Sequence, residues 1–286
     1  MNTSTPISEF TMNGRTFYVK RDDLFDPFLS GNKFRKLHSF LYDDSKSYSQ
    51  VISYGGTQSN AMLAIAALSK KKSWEYYYYT KPLSEYEKNL EFGNLYLAKS
   101  LGMKHVEIDR DLYKQYVSSL RVNLSEDTLL IHQGGADTLA QNGLEVLACE
   151  IKDTNIPVTS IALPSGTGTS ALYLALALPE YTIYTVACIG DDEYLKKQMS
   201  ALDEIPSNLV ILTPNTKYHF AKPYKEFYEI YSQLLKCSGI EFDLLYSPLM
   251  WKMIIESLNE DILYVHTGGI TGNKSMIERY KRKGFV

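Results

Sequence analysis

From residue 50 onward, short apolar runs alternate with longer stretches of helical spacing. Runs at 51–54, 76–80, 106–108 and 129–131 predict strands. The stretches 59–69, 90–101 and 113–123 between them predict helices, the second closed by Gly102. A second series predicts helix 143–152, strand 160–163, helix 170–178 stopped by Pro179, strand 182–189, helix 193–201 and strand 209–212. Helices 227–237 and 250–258 and a last strand, 262–265, complete it. Strands alternating with helices through short turns imply parallel sheets covered on both faces. The strand count predicts an α/β chain with two open, mainly parallel sheets flanked by helices, and no repeat or low-complexity linker interrupts it. Four consecutive tyrosines, Tyr76 to Tyr79, read as a buried strand with polar ends.

Composition narrows the class without naming it. The 286 residues are 44% hydrophobic and 22% charged, ordinary for an enzyme with a real core. A net charge of -3 without a basic stripe argues against nucleic acid as a partner. The cluster Lys281, Arg282, Lys283 reads as a solvated helix end. Cys149, Cys188 and Cys237 have no CxxC spacing, so neither a metal site nor a disulfide framework is expected, and a reducing cytosol fits. The polar start Asn2, Thr3, Ser4, Thr5 lacks the apolar core of a signal peptide. No apolar stretch approaches the roughly 20 residues that span a bilayer, so a cytoplasmic protein without a membrane partner is expected.

The chemistry lies in the loops. Gly55-Gly56-Thr57-Gln58-Ser59-Asn60, Pro164-Ser165-Gly166-Thr167-Gly168-Thr169-Ser170 and Thr267-Gly268-Gly269 each follow a predicted strand, at the carboxyl edge where open α/β sheets bind ligands. In the second loop, glycines let backbone N–H groups converge, and Thr167, Thr169 and Ser170 add hydroxyl donors suited to a compact phosphate at a helix N-terminus. A tight turn without a ligand is the plain alternative. The same text also fits a G-x-G-x-x-A dinucleotide fingerprint, with Asp191 and Asp192 somewhat over about 20 residues on. Lys33, after Gly31-Asn32, is presented on a turn at a helix start, where the helix dipole and a low-dielectric pocket would keep its amine neutral and nucleophilic, although Lys20 and Lys36 lie nearby. Ser59 or Asn60 reads as a helix cap. Equally, Asn60 suits a donor to a cofactor phenolate, and Ser59 a partner for a substrate carboxylate or a proton relay. Thr267 either reaches a ring nitrogen or satisfies its own turn. Together these parts describe a site for an aldehyde cofactor that carries a phosphate.

Val19-Lys20-Arg21-Asp22-Asp23-Leu24, Gly31-Asn32-Lys33-Phe34-Arg35-Lys36-Leu37 and Gly55-Gly56-Thr57-Gln58-Ser59-Asn60 resemble the fold-type II pyridoxal-phosphate enzymes. Within them, the chain resembles the branch of 1-aminocyclopropane-1-carboxylate deaminase and D-cysteine desulfhydrase. Gly93-Asn94-Leu95, Gly134-Gly135, the 164–170 loop and His266-Thr267-Gly268-Gly269 extend the resemblance over nearly the whole chain in family order. It implies the tryptophan synthase β-like fold, with a large cofactor domain of residues 1–35 and 134–286 and a small inserted domain, 36–133. It also implies pyridoxal 5'-phosphate as cofactor and a homodimer. Lys33 would form the Schiff base and Asn60 would hold the cofactor O3'. Gly166, Thr167, Gly168 and Thr169 would bind the phosphate. Ser59 matches the serine at the substrate face, and Tyr224 a family tyrosine.

Two departures bear on the substrate. Where the family usually has an aromatic-acidic or aromatic-threonine pair after Ser247-Pro248, its tyrosine serving substrate chemistry, this chain aligns Met250 and Trp251. A ring nitrogen facing Thr267 rather than a carboxylate makes the cofactor a weaker electron sink. Both weigh against cyclopropane opening and favour β-elimination or deamination of a small, D-cysteine-like amino acid to a keto acid and ammonia. A cofactor-binding sensor without catalysis and a dinucleotide-dependent oxidoreductase are the alternatives.

Overall fold

A computed structural model of the chain describes residues 4–120, 122 and 124–286. The described strands are β1 (Ile7–Met12), β2 (Arg15–Lys20), β3 (Gln50–Tyr54), β4 (Glu75–Thr80), β5 (Lys104–Glu107), β6 (Thr128–Leu130), β7 (Ser160–Ala162), β8 (Thr182–Thr185), β9 (Leu209–Ile211) and β10 (Ile262–Val265). They form a six-stranded sheet of order β1-β2-β10-β7-β8-β9 and a four-stranded sheet of order β5-β4-β3-β6. Every pairing is parallel except β1 with β2. The expected α/β architecture of two mainly parallel sheets is therefore present.

Strand order explains why two loops matter. In the small sheet, β3 has β4 on one side and β6 on the other, so the order reverses after β3, at the 55–60 loop. In the large sheet, β7 lies between β8 and β10, so the order reverses after β7, at the 164–170 loop. Both are switch points, where adjacent connections leave in opposite directions and open a crevice.

Several boundaries move for local reasons. The helix predicted at 90–101 spans Asn94–Ser100, because Gly93 at φ 85° breaks the preceding turn. Strand 182–189 stops at Thr185 and continues only as a single bridge from Ser165 to Ala187. The helix expected at 113–123 is Tyr113–Ser119; Arg121 and Asn123 lie outside the described residues. The tyrosine strand is not buried throughout: Tyr76 and Tyr78 face the core and Tyr77 and Tyr79 are half-buried, the period-two alternation of a strand with one covered face. The β1–β2 hairpin was not predicted. Its two-residue turn is Asn13-Gly14, both at positive φ (54° and 74°), which matches the twist of the flanking strands.

The small sheet packs on Met62, Ile65 and Leu68 of helix Asn60–Lys72, together with Phe34 and Leu37. Helix Thr169–Ala177 is buried along most of its length against one face of the large sheet. The opposite face holds Phe10, Phe17, Phe242, Met250 and Trp251. Among the described residues, no helix is long and apolar enough to cross a membrane.

Candidate active site

Helix Gly31–Lys36 begins on glycine because its backbone lies against the loop after β10. Gly31 has φ +58°, and a Cβ there would sit 2.1 Å from the carbonyl carbon and oxygen of Thr267. That approach lets Asn32 N donate to Thr267 O at 3.3 Å. Lys33 Nζ donates to Asn32 Oδ1 at 3.0 Å. Loss of water around the amine lowers its pKa to about 8, against a weaker upward pull from the buried Asp243 carboxylate. At neutral pH a useful fraction is therefore free amine, the nucleophilic form.

The same helix is clamped from its other side. Arg35, fully buried, makes paired hydrogen bonds to Asp22 (2.9 and 2.9 Å) and to Glu150 (2.6 and 2.7 Å). Lys20 Nζ adds a bond of 2.6 Å to Glu150 Oε2. A buried charge cluster of this kind holds together only when each member is paired. Here it ties β2, helix Gly31–Lys36 and helix Ala140–Lys152 into one unit beneath Lys33. Thus the three neighbouring lysines separate: Lys20 belongs to the clamp, while Lys33 and Lys36 line a cavity.

That cavity holds about 340 Å³. Of the predicted site residues, Lys33, Ser59, Asn60, Gly166, Thr167, Gly168 and Thr267 line it. Ser59 also caps helix Asn60–Lys72, its Oγ accepting from Met62 N at 3.2 Å. Thr169 is the first residue of helix Thr169–Ala177; it is buried behind the wall, its hydroxyl 3.0 Å from that of Thr167. Tyr224 lies apart from the cavity: it precedes helix Lys225–Ser238, its ring packs on Tyr218 and Phe227, and its hydroxyl accepts from His219 N at 3.0 Å. A larger cavity of about 460 Å³, walled by Phe25, Phe28, Leu29 and Phe34, contains none of these groups.

Met250 and Trp251 do not face the reaction chamber. Both are fully buried on the far side of the large sheet, and Trp251 stacks on Tyr264 at 4.8 Å and meets Phe17 edge-on at 5.3 Å. The tyrosine of this region is Tyr246, one residue before Ser247-Pro248, and it lines the cavity. Burial raises its pKa, so it stays a protonated phenol at neutral pH. Asp243 shapes its turn: Oδ1 accepts from Leu245 N (3.0 Å) and Tyr246 N (2.6 Å), and Oδ2 accepts from Ser247 N and Oγ. An Asp three residues before a Tyr-Ser-Pro helix start was a readable signal for such a turn.

Lys36 is a further polar wall residue, missed by the site prediction, and Ser170, expected as a hydroxyl donor, lines the same wall. Lys36 Nζ donates to Gly134 O at 3.1 Å and to Thr167 Oγ1 at 3.4 Å. Burial, and then the charge of Lys33, hold its pKa well below the usual lysine value. Ser170 Oγ is buried in the wall without a hydrogen-bond partner. Leaving such a group unpaired costs about 1–3 kcal/mol, and an anion seated on this loop would supply the missing partner.

No family model matches the chain. A putative 1-aminocyclopropane-1-carboxylate deaminase of Thermotoga maritima is 29% identical, over 91% of this chain and 90% of that protein. The mitochondrial bifunctional D-cysteine desulfhydrase/1-aminocyclopropane-1-carboxylate deaminase of Arabidopsis thaliana is 24% identical, over 94% of this chain and 77% of that protein. The crystal structure of an ACC deaminase homologue superposes with a TM-score of 0.76 at 23% identity, over 96% of this chain and 94% of the other.

The fold is that of the fold-type II pyridoxal-phosphate enzymes. Within that class, whose cofactor is pyridoxal 5'-phosphate, the chain is similar to proteins named putative 1-aminocyclopropane-1-carboxylate deaminase and D-cysteine desulfhydrase. The residues present fit that cofactor: an amine of lowered pKa for its aldehyde, an unpaired hydroxyl and a lysine at a glycine-rich helix start for its phosphate, and a side-chain amide for its phenolate. The dinucleotide reading loses its acidic partners as well, since Asp191 caps helix Asp192–Ser200 and Asp192 accepts from Thr213.

Proposed function

We propose that the protein is a pyridoxal-phosphate-dependent deaminase or lyase that acts on a small amino acid, releases a keto acid and ammonia, and prefers D-cysteine to 1-aminocyclopropane-1-carboxylate. One observation carries the reading: the low-pKa amine of Lys33 shares a cavity with the hydroxyl-rich 164–170 loop and with Asn60. When bound, the cofactor supplies an aldehyde for the substrate amine and an electron sink for the bond that breaks. Gly166, Thr167, Gly168, Ser170 and Lys36 hold its phosphate, with Thr169 behind them; Asn60 donates to its O3' and Thr267 serves its ring nitrogen. The free amine of Lys33 would remove a proton from the substrate. Ser59 binds the substrate carboxylate or relays that proton, and the phenol of Tyr246 stands on the same wall as a proton donor. Residues 1–35 and 134–286 form the cofactor domain and 36–133 the inserted one, and the active form is a cytosolic homodimer.

D-Cysteine is favoured because a hydroxyl at Thr267 leaves the ring nitrogen less readily protonated than a carboxylate would. Tyr246 favours the second reading, cyclopropane ring opening, because it restores the acid that Met250 and Trp251 lack. Purified protein given D-cysteine, L-cysteine and 1-aminocyclopropane-1-carboxylate in turn, with keto acid and sulfide measured, tests the order. The expected result is fastest turnover of D-cysteine; a faster cyclopropane reaction selects the second reading. Lys33→Ala should abolish the visible absorbance gained on adding pyridoxal phosphate, and an unchanged spectrum would falsify the anchor.

A further inference from the structure

We propose that Asn94 is a positioning residue: held by Thr271, it locks the side-chain amide of Asn60 so that the Asn60 Nδ2 donor, not the oxygen, faces the cofactor site. The inference rests on the cofactor reading above and assigns a task to the Gly93-Asn94-Leu95 match, which otherwise has none.

The bonding pattern leaves one orientation. Asn94 is fully buried as the first residue of helix Asn94–Ser100. Its Nδ2 donates to the backbone oxygen of Gln58 at 3.2 Å and to Asn60 Oδ1 at 2.8 Å. Its Oδ1 accepts from Thr271 Oγ1 at 2.9 Å. An amide can otherwise be turned end for end, but a backbone carbonyl only accepts. Gln58 O therefore requires the nitrogen of Asn94 on its side, and that nitrogen in turn requires the oxygen of Asn60. The Asn60 nitrogen is left for the cavity that Asn60 lines. Gly269 completes the seat: a Cβ there would lie 2.3 Å from Asn60 Nδ2, so only glycine lets the amide lie flat against the loop after β10. Three separate parts of the chain, the starts of helices Asn60–Lys72 and Asn94–Ser100 and the turn Ile270–Gly272, thus converge on one donor.

A carboxylate at 94 reverses the pattern, because it can only accept. In Asn94→Asp the Asn60 amide turns its nitrogen toward residue 94 and its oxygen toward the cofactor phenolate. Deprived of a donor, the phenolate binds a proton more tightly. The pH midpoint of the visible band of the Lys33-linked cofactor should then rise by about one unit or more, a tenfold change in proton affinity. Asn60→Ala should move it the same way. In an Asn60→Ala background, Asn94→Asp should add less than half of its own shift. Asn94→Leu, uncharged and of similar volume, should give a smaller rise, again only when Asn60 is present.

The measurement is a spectrophotometric pH titration of each folded, cofactor-loaded protein. An unmoved midpoint in both position-94 variants overturns the proposal, as does an equal increment with and without Asn60, which would assign the shift to the new charge. An unmoved midpoint in Asn60→Ala overturns it too. Absence of the band in the wild type is a different result: it removes the cofactor reading itself and is seen before any variant is compared.

Discussion

Gly31→Ala places a methyl group where the backbone of Thr267 lies. The residue has φ +58°, which costs an L side chain about 1–2 kcal/mol. The new Cβ would stand 2.1 Å from the Thr267 carbonyl carbon and oxygen. Because the obstacle is backbone rather than the end of a flexible side chain, the loop must shift, adding about 1–3 kcal/mol as in overpacked cores. Gly14→Ala is the internal control: its φ is +74° and nothing lies within 4 Å, so it bears the backbone strain alone. Urea denaturation should lower the stability of Gly31→Ala by about 2–5 kcal/mol and that of Gly14→Ala by about 1–2 kcal/mol, with unchanged m-values. The shifted loop carries Thr267 and Gly269, so folded Gly31→Ala should also bind pyridoxal phosphate more weakly, while Gly14→Ala binds it as the wild type does. Equal losses of stability in the two variants would refute the close approach. Full cofactor affinity in a destabilised Gly31→Ala would refute its link to the site.

Tyr246→Phe should cut turnover by about 10²-fold or more, the usual scale for a proton-transfer group, with little change in the denaturation midpoint. Trp251→Ala should do the opposite, losing about 3–5 kcal/mol of stability while the folded fraction keeps its turnover; the reverse pairing would return the chemistry to Trp251. Cofactor uptake by the cofactor-free protein should quicken as pH rises through about 8 and level off above it, because only the unprotonated Lys33 amine attacks an aldehyde. Stopped-flow absorbance between pH 6 and pH 10 checks this, and a rate independent of pH would contradict the buried, low-pKa amine.

Much of the fold was legible because strand and helix leave different periods in the text. The runs at 51–54 and 262–265 fall on β3 and β10 to within a residue. The β1–β2 hairpin carries the strongest short signal in the chain, Asn13-Gly14, and was passed over because the strand–helix alternation begins only after it. The separation of Met250 and Trp251 from the cavity has a sharper cause. Residues 246–257 contain Tyr246 facing the cavity and Met250 and Trp251 facing the core, only a few positions apart on one helix and its lead-in. A helix turns about 100° per residue, so a shift of a few positions in alignment exchanges wall for core.

By itself, the sequence determined the class of protein. Glycine-rich turns after apolar strands, a lysine after Gly-Asn and a hydroxyl-rich loop are local patterns, set by what each backbone segment can adopt and what each side chain can donate. Tertiary structure decided which groups act together. Asn94, Thr271 and Asn60 are far apart in the chain, and only packing of the small sheet's helices against the loop after β10 joins them. The lowered pKa of Lys33 and the raised pKa of Tyr246 likewise have burial as their first cause. Burial is a property of everything that surrounds a residue, and no local run of text contains it.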